Sequence, residues 1–194
     1  MDLAAGVAAA LAAAGEAFGP APAAAPVPRW GALYAAFDAD SDEVFATDIE
    51  LIYEGYLLHY RESRALALAA DDLETRLLAG DCYYARGLRG IAARGDADAV
   101  GLLARLMASC SYLRSVGAPF GDDDALWAYA VAGIAAQHAW VPPEAVGALF
   151  DAIDAGFHAS PPAGVPAAVA RAVPRLELPD PAPLLRELEA VAGR

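Results

Sequence analysis

From residue 42 to residue 157 the large apolar side chains recur every three or four positions, and no segment alternates apolar and polar over a useful length. That period places apolar residues on one face of a helix, whereas a half-buried strand needs a period of two. Val44, Phe45, Ile49, Ile52, Tyr53, Tyr56, Leu57 and Tyr60 follow it and predict one long helix over about Asp42–Ala69. Ser41 is the expected N-cap of this helix, since a short polar side chain there accepts from the first free backbone N–H groups. Leu73, Leu77, Leu78, Cys82, Tyr84, Ala85, Leu88 and Ile91 predict a second helix, started by Asp71-Asp72 and ending near Arg94 before Gly95-Asp96. Three more are predicted, over about Ala97–Val116, Ala125–Ala139 and Glu144–Phe157. The fold class expected is all-α, a bundle of antiparallel or orthogonal helices.

The flanks read differently. Residues 3–18 form a helix rich in alanine, and Gly19–Pro28 is a Pro/Ala linker that cannot propagate one. A short helix is expected over Trp30–Phe37. After a loop from His158 to Pro166, a proline-broken segment carries a last helix, Pro183–Ala192. The expected organisation is therefore an N-terminal helix and linker (1–28), a helical core domain (29–158) and a Pro-rich tail (159–194).

Of the 194 residues, 51 are alanine, and lysine and asparagine are absent, so all 13 basic residues are arginine. This reads as codon usage in a GC-rich genome. The net charge of −13, with no basic run, repels a phosphate backbone and argues against nucleic-acid and anionic-membrane binding. Cys82 and Cys110 sit in apolar helical patterns and read as small buried hydrophobes, which fits a cytoplasmic location. The N-terminus lacks the positive region of a secretory signal. Ala125–Pro143 contains Gln137 and His138 and much alanine, and it reads as a buried helix, so no integral membrane span is expected.

Chemistry-bearing patterns are few. His59, His138 and His158 fall on different elements and form no ligand-spaced group. P-loop, GxGxxG, CxxC and GxSxG patterns are absent. Asp122-Asp123-Asp124 loads a helix start, where negative charge meets the helix dipole. Asp151 and Asp154 share a helix face, a spacing that could hold a hard cation but reads first as solvated helix surface.

One ordered pair of segments carries more. Leu77-Leu78-Ala79-Gly80-Asp81-Cys82-Tyr83-Tyr84-Ala85-Arg86-Gly87-Leu88, followed by Gly95-Asp96, resembles the LAGDYLLARAL…LGD helix of trans-polyprenyl diphosphate synthases. Upstream, Glu50-Leu51-Ile52-Tyr53-Glu54-Gly55-Tyr56-Leu57-Leu58-His59 resembles the family's ELIHTASLIHDD helix. In that family the aspartates after the histidine hold magnesium, which neutralises the departing diphosphate. Here Tyr60, Arg61, Glu62, Ser63 and Arg64 come directly after His59, so tyrosine and arginines stand where the family has its acids. Phe150-Asp151-Ala152-Ile153-Asp154 resembles the second aspartate-rich motif with one aspartate too few, and the diphosphate-binding lysines are missing.

The resemblance, with these departures, implies a non-catalytic relative. It is similar to the small subunits of heteromeric synthases, such as component I of heptaprenyl diphosphate synthase. It implies a pared-down isoprenoid-synthase fold, no enzyme activity of the chain by itself, no catalytic or metal-ligating residue, and no cofactor of its own. The magnesium would sit in a catalytic polyprenyl diphosphate synthase partner, in isoprenoid chain elongation, with the menaquinone side chain as one destination of the product. The candidate partner-interface or degenerate substrate-site residues are Glu50, Tyr53, Tyr56, His59, Tyr60, Arg61, Gly80, Asp81, Tyr83, Tyr84 and Gly87. Interior glycines 80, 87 and 90 each cost a helix about 1 kcal/mol against alanine, which points to close approach of another helix. The tyrosines read either as an exposed partner face or as core. Two alternatives stand beside this reading: a helical interaction scaffold unrelated to prenyl synthases, and a helical protein that binds an apolar ligand near Arg61, Arg64, Arg86 and Arg89.

Overall fold

The computed structural model describes residues 2–37, 42–139, 141–158 and 164–192. Among them the chain is all-α, with no strand. The helices are α1 (Leu3–Gly15), α2 (Trp30–Ala35), α3 (Glu43–Tyr60), α4 (Leu73–Ala93), α5 (Ala97–Ser115), α6 (Phe120–Ala139), α7 (Pro143–His158), α8 (Val165–Ala172) and α9 (Ala182–Ala192), with a 3-10 turn at Val173–Leu176. No helix among the described residues is long and apolar enough to cross a membrane.

Two compact units divide the chain, one of residues 1–35 and 40–97, the other of 36–39 and 98–194. The boundaries drawn from sequence fall instead at 28 and 158.

In the first unit α3 and α4 pack along their lengths, with α1 against both and α2 against α3. Val7 and Leu11 of α1 join Leu51, Leu58, Leu66 and Tyr83 in one buried cluster. The N-terminal helix is thus part of a core, and the Tyr83 hydroxyl donates to the Leu11 carbonyl at 2.6 Å. Asp42 caps α3, accepting from the backbone N–H groups of Val44 and Phe45. Ser41, the expected cap, lies outside the described residues. Asp72 caps α4 by accepting from Thr75 N–H, and Gly95, at φ +78°, ends it in the left-handed conformation that glycine adopts without strain.

The expected helix to Ala69 is nine residues too long, because α3 stops at Tyr60. Helical period alone allowed continuation. The buried Glu54 carboxylate captures the backbone N–H groups of Arg64 and Ala65 instead, at 2.8 and 3.1 Å, and draws the chain into a loop.

In the second unit α6 is the central helix, buried on every side from Asp123 to Ala136. It begins at Phe120, earlier than expected, so the three aspartates lie inside its first turns. Asp123 is fully buried against Arg114, at 2.8 Å. Helices α7, α8 and α9 pack around α6. The tail read as proline-broken contains α8, a helix that the sequence pattern did not indicate; its Val169, with Leu184 and Leu188 of α9, is buried.

Candidate functional site

The two segments that carry the family resemblance are α3 and α4, and they face each other. Their crossing is set by glycine. A Cβ on Gly55 would stand 2.9 Å from the Gly80 carbonyl oxygen, and one on Gly80 would stand 2.6 Å from the His59 ring. A Cβ on Gly87 would stand 2.6 Å from the Asp48 carbonyl oxygen, and one on Gly90 would collide with the Asp48 carboxylate. The close approach implied by glycines 80, 87 and 90 is therefore made by α3 of the same chain.

At one end of this crossing the His59 Nε2 lies 3.2 Å from an Asp81 carboxylate oxygen. The His59 ring stacks on Tyr84 at 5.3 Å and tilts against Tyr60 at 5.9 Å. Asp81 is largely exposed, and Tyr60, Arg61 and Tyr84 are half-buried. These five residues, His59, Tyr60, Arg61, Asp81 and Tyr84, are the candidates that reach the surface. The others do not. Glu50, Tyr53, Tyr56, Gly80, Tyr83 and Gly87 are buried in the first unit. Tyr53 stacks on Tyr56 at 5.9 Å, and Trp30 meets Tyr53 edge-on. Of the two readings of the tyrosines, core holds for Tyr53, Tyr56 and Tyr83.

The strongest electrostatic feature of the unit was not expected from sequence. Glu50 and Glu54, one turn apart on α3, are both fully buried. Arg64 lies between them, with Nη1 2.9 Å from Glu50 and Nε 3.1 Å from Glu54. Glu50 also accepts from Arg29 and Gly31 N–H groups, at 2.6 and 2.7 Å. Glu54 also accepts from the Ser63 hydroxyl at 2.7 Å. The Arg64 guanidinium sits 4.7 Å from the Tyr53 ring centre and donates to Val27 O at 3.0 Å. Burial works against the charge of Arg64, but Glu50 and Glu54 outweigh it and hold the guanidinium pKa above its ordinary value. Two carboxylates and one arginine thus fasten the chain around residues 29–31 and 63–65 to α3. The available signal was the i, i+4 pair of acids inside an otherwise apolar stripe.

Asp48 is a third buried acid of α3. Burial, only partly offset by Arg94 and reinforced by Asp42, pushes its pKa up to about 6. Arg94 stands 3.9 Å away and is engaged by Asp42.

Of the arginines expected near an apolar ligand, Arg61, Arg64 and Arg86 do not converge. Arg64 is inside the carboxylate pair, and Arg86 donates to Ala13 O at 3.0 Å. Arg61 instead shares a groove with Arg76. In the second unit Asp151 pairs with Arg105 at 2.9 Å, and Asp154 accepts from Ser109 at 2.5 Å. That face is therefore occupied by α5. Among the described residues no three His, Cys, Asp or Glu side chains are arranged to hold a metal ion. Compared with family models, curated proteins and solved structures, the chain finds no match in any of them.

Proposed function

We propose that this chain acts by contact, as a non-catalytic helical subunit whose partner is a catalytic polyprenyl diphosphate synthase. One observation carries the contact role. The first turns of α4 leave Leu73, Leu77 and Leu78 at 59, 40 and 64% exposure. Each Å² of such apolar surface gains about 25 cal/mol when removed from water. Leu73 and Leu77 stand one turn apart, Leu78 adjoins them, and Asp81 and Tyr84 continue the same helix. This is the surface offered to the partner, in place of the buried tyrosines.

The non-catalytic half of the reading is supported by the residues after His59, where Tyr60 and Arg61 replace acids. The nearest buried acids, Glu50 and Glu54, are engaged by Arg64 and by backbone N–H groups. The choice of a prenyl synthase as partner comes from the resemblance of α3 and α4, and magnesium belongs to that partner.

The test is co-expression with a lysine- and DDxxD-containing polyprenyl synthase. Co-purification and a change in product length when the chain is omitted are expected. Leu77→Asp with Leu78→Asp, both at exposed side chains, should abolish co-purification while leaving the circular dichroism spectrum intact. Elongation of an allylic substrate by the isolated chain with magnesium would overturn the non-catalytic reading. Failure to co-purify with such a synthase would leave the unrelated scaffold as the better account.

A further inference from the structure

In the second unit, the end of the 3-10 turn at Val173–Leu176 borders a groove of about 230 Å³. Its apolar lining has surface to offer a ligand. Ala170, Pro174 and Pro181 are exposed, Leu185 is 40% exposed, and Leu178 is half-buried. Among the described residues, Glu177 is the one charged member of that lining.

Glu177 is the informative residue. It is the one non-glycine among the described residues with a positive φ, at φ 50° and ψ 34°. In that left-handed conformation the Cβ of an L residue crowds the following carbonyl, so helices that end this way usually use glycine. Glycine would end this turn with less strain. The Glu177 carboxylate makes no hydrogen bond or ion pair among the described residues. Asp180, three positions on, is by contrast engaged at the start of α9, where it accepts from Ala182 N–H at 2.9 Å. A strained residue that holds an unpaired charge beside an accessible groove is the kind of outlier that marks a site.

Two properties define the ligand. The lining carries one negative charge and no positive one, and the net charge of −13 draws cations towards the protein. The volume lies below the range of about 300–1,000 Å³ for drug-sized ligands, so the groove holds one side-chain-sized group and not a length of peptide backbone. We propose that this groove binds a small aliphatic amine, its ammonium group on Glu177 and its alkyl chain along Pro174, Leu178, Pro181 and Leu185. The chain contains no lysine, so a second copy cannot supply such a group. The site lies wholly in the second unit and does not depend on the prenyl synthase reading.

Nuclear magnetic resonance titration of the intact chain tests this, read on the methyl groups of Leu178 and Leu185. The probes are hexylamine, its separated halves hexanol and ammonium, and Nα-acetyl-lysine N-methylamide as a protein lysine. Hexylamine should bind saturably at neutral pH, with each half at least threefold weaker. Glu177→Gln, which removes the charge, should weaken hexylamine at least threefold and leave hexanol unmoved. Glu177→Gly should weaken hexylamine as much while raising the melting temperature by a few degrees, so that the loss of binding cannot come from unfolding. Absence of saturable binding by hexylamine overturns the proposal. So does hexanol binding as tightly as hexylamine, or an affinity that E177Q leaves unmoved. Tighter binding of the lysine derivative than of hexylamine would assign the groove to a protein side chain and overturn the free amine.

Discussion

Glycine to alanine at two helix-interior positions should have opposite signs. In a free helix each change gains about 1 kcal/mol, because alanine surrenders less backbone entropy than glycine. At Gly101 in α5 a new Cβ meets nothing within 4 Å, so that gain should appear in full. At Gly87 in α4 the Cβ would stand 2.5 Å from Ile52 Cγ1, 2.6 Å from the Asp48 carbonyl oxygen and 3.1 Å from Ile52 N. Two of those atoms belong to the α3 backbone and cannot rotate away, so the helices must separate along their shared length. Overpacking of this kind costs about 1–3 kcal/mol, and lost contacts along the crossing add to it. Net of the helical gain, Gly87→Ala should destabilise the first unit by about 1–2 kcal/mol. Gly101→Ala should stabilise the second by about 1 kcal/mol. For units of this size each kcal/mol moves the melting temperature by about 4–8 °C, which scanning calorimetry reads directly. A rise in melting temperature for G87A equal to that for G101A would refute the claim that glycine sets the α3–α4 distance.

Asp48 should make the first unit more stable in mild acid. Its pKa is raised from an ordinary 3.8 to about 6, so the folded state prefers the protonated form. Stability should be greatest below about pH 4, fall as pH rises to about 6 and then level off, a total of at most about 3 kcal/mol. Asp48→Asn should flatten that part of the profile, and parallel melting curves for the two proteins between about pH 4 and 7 would count against it. Removing the cation between Glu50 and Glu54, by Arg64→Met, leaves two buried carboxylates without their shared counter-charge. It should destabilise by about 3–5 kcal/mol in urea unfolding, and a loss below about 1 kcal/mol would show that the arginine is not what holds them.

The residues differ in how openly the sequence declared them. The start of α4 was legible because Asp72 acts on backbone groups within a turn of itself. The stop of α4 at Gly95 was legible for the same reason. The end of α3 was not, because it depends on Glu54 reaching residues ten and eleven positions further on. Helix α8 was hidden where prolines at 166 and 174 interrupt the pattern, although Pro166 sits at the helix start, where it is tolerated. In the candidate site, the glycines of α4 announced a close neighbour without saying which helix it was. The tyrosines were marked as a face without indicating what covers it.

Helical period, capping residues and the lack of alternation were enough by themselves to make this chain all-α, since each acts over one or two turns. Tertiary packing alone decided that Glu50, Glu54 and Arg64 form one buried group and that Tyr53, Tyr56 and Tyr83 face inward. It also left Leu73, Leu77 and Leu78 in water. Those outcomes depend on which surfaces meet, and a one-dimensional pattern records the stripe on a helix but not its neighbour.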